Sequence, residues 1–144
     1  MELKYKITDE CKVFGEITLH RIEALKDFND VKKGDKGGYI EKENNFSQYG
    51  DAWVYGDAEV YGDAKVYGNA EVCVNAKVCG NADYIVFKNW WSSGRYFTWT
   101  RSNDKWRVGC FYGTGDELIA KAYEDSETSG KNYEKIVKYV ESIK

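Results

Sequence analysis

From Gly50 to Ile85 the chain reads GDAWVYGDAEVYGDAKVYGNAEVCVNAKVCGNADYI, a six-residue period that few backbone geometries tolerate. Val54, Val60, Val66, Val72 and Val78 fill one column, and Ala52, Ala58, Ala64, Ala70, Ala76 and Ala82 fill another two residues earlier. Gly50, Gly56, Gly62, Gly68 and Gly80 open their hexads, each followed by Asp or Asn, the residue types that accept positive φ at a corner. An α-helix turns every 3.6 residues and would smear such columns around its axis. A meander needs longer strands and tighter hairpin turns than one hexad supplies. The repeat therefore predicts a mainly β fold centred on a short left-handed parallel β-helix, with three hexads to a turn and Ala and Val inside. Residues eighteen apart would then stack, setting Glu59 over Lys77 with opposite charge.

Two turns make a short column, and solenoids need several units and caps. The flanks must close it. The expected organisation is a β cap over residues 1–43, the β-helix over 44–85, and a C-terminal α+β region over 86–144. In that last region DYIVFKNWW, RYFTWTRS and KWRVGCFY read as a three-strand meander, and GDELIAKAYEDS and KNYEKIVKYVESIK carry helical spacing. The outward tyrosines Tyr49, Tyr55, Tyr61 and Tyr67 would expose more apolar surface than a lone soluble chain tolerates. They point to an oligomer interface, expected as a homotrimer.

Net charge −3, with basic and acidic residues interspersed, offers no field for a phosphate backbone, so duplex nucleic acid is not expected as a direct partner. No apolar window approaches bilayer length, and the N-terminal MELKYKITDECKVF has no signal-peptide core, which points to the cytoplasm and to no membrane partner. Four cysteines without CxxC spacing and a single histidine leave little from which to build a metal site.

RIEALKDF, VKKGDKGGYIEKENNFSQYGDAWVYG, the GDAxVYG hexads and WRVGCFYGTGDEL together resemble a group of bacteriophage and prophage hexapeptide-repeat proteins that carry a generic transferase-like label. The resemblance implies the fold and a phage origin, hence the host cytoplasm, but no particular reaction. Hexapeptide acyltransferases use a solenoid histidine as general base, and His20 lies outside the hexads. No catalytic residue and no cofactor are expected on this reading, and the chain is expected not to be an enzyme. The stretch that no periodicity explains is FKNWWSSGRYFTWTR, which sets Trp90, Trp91, Tyr96 and Trp99 among Lys88, Arg95 and Arg101. Aromatic faces beside cations form hot spots and stacking pockets. Three functions follow as expectations: a trimeric binding protein that engages or inhibits a host defence component, a protein that sequesters a small nucleotide-like ligand, and an acyltransferase.

Overall fold

The computed structural model describes residues 2–144. Strands β1 (Tyr5–Phe14), β2 (Ile17–Ala24) and β3 (Lys36–Ile40) precede the hexads, which supply the two-residue strands β4 (Trp53–Val54), β5 (Glu59–Val60), β6 (Glu71–Val72) and β7 (Lys77–Val78). Then come β8 (Tyr84–Lys88), β9 (Tyr96–Thr100), β10 (Lys105–Val108) and β11 (Phe111–Gly113), followed by helices α1 (Gly115–Asp125) and α2 (Glu127–Ile143). Thr114 caps α1, accepting from the Glu117 amide at 3.2 Å while the Glu117 carboxylate accepts from the Thr114 amide at 2.9 Å.

The left-handed parallel β-helix expected from the hexads is corrected by the sheet topology. The strands form three open sheets, ordered β1-β2-β3-β5-β7, β4-β6 and β11-β10-β9-β8. Only two residues between successive corners are extended, too few for the strands to close on themselves. The first sheet is mixed, because the antiparallel β2–β3 pair continues into the parallel pairs β3–β5 and β5–β7. The Val66 position contributes no strand, only an isolated bridge to Phe46. The mainly β character stands, with two helices at the C-terminal end.

Within these sheets the parallel pairs are eighteen residues apart: Glu59 faces Lys77, and Val54 faces Val72. Glu59 nevertheless takes its ion partner from β1, at 2.5 Å from Lys12. Apart from the exposed Ala82, the Ala and Val columns are buried together with Tyr5, Ile22, Ile40, Phe46 and Trp53. Gly50, Gly56, Gly62 and Gly68 all have positive φ, and a Cβ on Gly50 would fall 2.8 Å from the Gly68 carbonyl oxygen. Val74 takes the same corner at φ 63, a strained conformation for a β-branched residue. A second core joins Phe97, Trp99 and Trp106 to Leu118, Tyr133 and Val137 from the helices. Among the described residues no helix is long and apolar enough to cross a membrane.

Along the hexads alternate amides donate to carbonyls seventeen residues on, as from Trp53 to Ala70 at 3.1 Å and from Glu59 to Ala76 at 2.9 Å. The first hexads are left with open carbonyls, and upstream donors fill them: the Tyr39 amide bonds Ala58 O, and the Asn45 side chain bonds Ala64 O. At Ala52 the donor is Lys4, whose Nζ lies 3.0 Å from that carbonyl and 4.2 Å from the Phe46 ring centroid. The Lys4 side chain is fully buried, and burial pushes its pKa down to about 8. In an unfolded chain the amine titrates near 10.4, so between about pH 8 and 10.4 the unfolded state binds more protons and this group adds stability as pH rises. The unfolding free energy of the wild type relative to Lys4→Met, from urea denaturation, should climb between pH 8 and 10; a constant difference contradicts this.

Candidate functional site

At the other end of the hexads open amides and an open carbonyl are answered by the four-stranded sheet and the turn after β9. The Glu71 amide donates to Thr98 Oγ1 at 2.9 Å, and the Lys77 amide to Ser102 Oγ at 2.7 Å. The Tyr84 hydroxyl donates to the Lys65 carbonyl at 2.6 Å. β9 is thereby sandwiched, with Thr98 and Thr100 buried toward the hexads and Phe97 and Trp99 buried toward the helices. Both faces of an aromatic strand are used.

A cleft lies along this junction. Its aromatic lobe, about 500 Å³, is lined by Tyr67, Asn69, Tyr84, Phe87, Lys88 and Tyr96. Its polar lobe, about 360 Å³, is lined by Asp30, Asn69, Glu71, Arg95, Tyr96 and Gly109. Asn69 and Tyr96 belong to both lobes, so the two form one surface. Arg107 holds the polar lobe from behind. Its Nε lies 3.3 Å from Glu71 and donates to the Gly109 carbonyl at 2.6 Å; its Nη2 is 3.8 Å from Asp30. The Arg107 guanidinium stands 4.8 Å over the Tyr55 ring, and the Tyr55 hydroxyl donates to Asp30 at 2.8 Å. Burial raises the Glu71 carboxyl above its ordinary pKa; Arg107 and Arg95 oppose the shift and Asp30 adds to it. A carboxyl held so can exchange protons nearer neutrality than a free glutamate. Gly109 has φ +57, and a Cβ there would overlap the Arg95 guanidinium that crosses it.

The residues singled out in the sequence are divided. Lys88, Arg95 and Tyr96 meet at the cleft, with the Lys88 ammonium 5.8 Å from the Tyr96 ring centroid. Trp99 is fully buried, its Nε1 donating to Asp104 at 2.9 Å, and Arg101 covers that ring at 5.1 Å. Trp91 packs edge-on against Tyr133 at 4.9 Å and donates to Ser129 Oγ at 3.1 Å, while Trp90 is 72% exposed. Of the four tyrosines assigned to an oligomer interface, Tyr49 and Tyr67 are exposed, Tyr61 packs on Phe14 at 6.0 Å, and Tyr55 is tied to Asp30. His20 sits within β2, facing Cys11 and Ile40. Asp30, Asn69, Glu71 and Arg107 escaped the sequence reading. Arg107, a charge inside the apolar strand KWRVGC, was the only hint.

No family model matches the chain. Over 59 residues it is 34% identical to a protein of Escherichia coli (strain K12) named "Uncharacterized acetyltransferase YdcK", a match covering 35% of this chain and 18% of that protein. The chain thus spans under a fifth of that relative's length. This similarity supports the transferase-like side of the resemblance and corrects the expectation that the chain is not an enzyme. That expectation rested on the lack of a histidine in the hexads, whereas a buried carboxyl such as Glu71 is also a proton acceptor.

Trp91 packs into the second core, while Arg95 makes no side-chain hydrogen bond or ion pair among the described residues. Trp91→Ala should therefore lower unfolding free energy by about 3 kcal/mol, and Arg95→Ala by under about 0.5 kcal/mol, in urea denaturation. Equal effects would contradict the division.

Proposed function

We propose that the cleft binds a small nucleotide-like molecule, its planar ring against the tyrosines of the aromatic lobe and its anionic group at Lys88 and Arg95. The observation that carries this reading is the continuity of the two lobes through Asn69 and Tyr96: one groove offers ring-stacking faces, hydrogen-bonding amides and two cations that form no ion pair among the described residues. Ring stacking of a base is worth roughly 1–3 kcal/mol and tolerates different bases, so the cleft selects a ring bearing negative charge more than one base over another. The resemblance to bacteriophage proteins adds that the ligand would be a host molecule.

A second reading is favoured by the name of the Escherichia coli relative. Coenzyme A carries an adenine nucleotide, so acetyl-coenzyme A is itself a nucleotide-like ligand. In an acetyl transfer, Glu71 would take the proton of the acceptor's attacking hydroxyl or amine, and Asn69 and Arg95 would meet the acyl oxygen as negative charge develops there. The cleft then serves both readings, and the bound molecule decides between them.

Calorimetric titration with adenosine monophosphate, adenosine and acetyl-coenzyme A tests the proposal. Adenosine monophosphate should bind more tightly than adenosine, and Tyr96→Ala and Lys88→Ala should each weaken it about tenfold, a loss near 1.4 kcal/mol. No binding of any nucleotide, or binding unchanged in Tyr96→Ala, overturns the assignment. Thiol release from acetyl-coenzyme A that disappears in Glu71→Gln would select the second reading.

A further inference from the structure

A separate pocket of about 290 Å³ lies on the opposite side of β9, between the four-stranded sheet and the helix pair. Its polar lining includes Asn89, Arg95, Lys121 and Asp125, and its apolar lining includes Val108, Phe111 and Leu118. Asn89 is 6% exposed. Its backbone is fixed by the turn that joins β8 to β9: the amide donates to Arg95 O at 2.9 Å, and the carbonyl accepts from Ser92 at 3.1 Å and Gly94 at 3.3 Å. Its side-chain Nδ2 donates to the Tyr133 hydroxyl at 3.2 Å, but its buried Oδ1 has no partner among the described residues. A buried acceptor with no donor is uncommon, and it signals a group that arrives from outside.

Two charges in the same pocket, the Arg95 guanidinium and the Asp125 carboxylate, also make no ion pair among the described residues. Lys121 is 3.9 Å from Glu124 and so is not held by Asp125 one turn on. Opposite charges left open in one small, partly apolar cavity match a ligand that carries both signs. The unpaired amide oxygen requires an N–H on that ligand, and an ammonium supplies it while offsetting Asp125. A carboxylate answers Arg95 and Lys121. Val108, Phe111 and Leu118 leave an apolar wall for a medium-sized aliphatic side chain.

We infer that this pocket binds a small zwitterion of the α-amino acid class with an aliphatic side chain. Its volume is smaller than that of either lobe of the cleft, and Arg95 is the one lining residue the pocket shares with the cleft. Arg95 is offered to an anion in both, so the two sites are linked through that one guanidinium, while Asn89, Lys121 and Asp125 belong to this pocket alone.

The test is calorimetric titration of the intact chain with L-leucine, with 4-methylpentanoate, which lacks the ammonium, and with 3-methylbutylamine, which lacks the carboxylate. L-leucine should bind saturably, and both truncated analogues at least tenfold more weakly. Asp125→Asn should weaken L-leucine about tenfold and leave adenosine monophosphate titrations unchanged, and Asn89→Ala should weaken L-leucine with the melting temperature retained. If Asn89→Ala fails to fold, the exposed Asp125→Asn decides alone. No binding of L-leucine at millimolar concentration, equal binding of 4-methylpentanoate, or wild-type affinity in Asp125→Asn or in folded Asn89→Ala overturns the proposal.

Discussion

Parallel pairing of hexads eighteen residues apart is the constraint on which everything else rests. It places small apolar residues in the Ala and Val columns, where the chain comes close enough to itself that a Cβ at Gly50 would meet the Gly68 carbonyl. It also leaves the hexad segment with two open edges. Along a strand the amide and carbonyl of one residue point to the same side and successive residues alternate, so each edge presents both unpaired donors and unpaired acceptors. Neither end can be buried until another part of the chain answers it.

The two ends are answered differently. Upstream, the donors are the β3 backbone, Asn45 and the fully buried Lys4, which fills one carbonyl position with a side chain and rests its cationic end on Phe46. Downstream, the acceptors are the hydroxyls of Thr98 and Ser102, carried by β9 and the turn after it. That docking has a functional consequence. It brings Tyr96, Arg95 and Lys88 of the meander beside Tyr67, Asn69 and Glu71 of the hexads, and the cleft is the space between them. The Arg107 link to Glu71, Asp30 and Tyr55 ties the meander, a hexad corner and the N-terminal loop around its polar lobe.

The eighteen-residue spacing and the inward Ala and Val columns were legible in the sequence because a repeat writes the same environment many times over. The closed solenoid expected from it was not, because a period says nothing about how many residues between corners stay extended, and here only pairs such as Trp53–Val54 do. The aromatic stretch from Lys88 to Arg101 was visible as an anomaly, but alternation along one strand could not show that β9 has a core on each face. Trp99 therefore reads as a candidate ligand contact and is a core residue, while Tyr96 lines the cleft. Asp30, Glu71 and Arg107 are far apart in sequence, and single charges in a chain this rich in charge carry no signal until the fold gathers them.

The central claim is that side-chain hydroxyls from the meander complete the hexad amides and so create the cleft. Thr98→Val keeps the shape of the buried residue and removes the acceptor. Amide hydrogen exchange at Glu71, followed together with unfolding free energy, tests it most directly. Protection of that amide should fall and stability should drop by about 1–3 kcal/mol, the usual cost of a buried donor left unpaired. Unchanged protection and unchanged stability in Thr98→Val would contradict it.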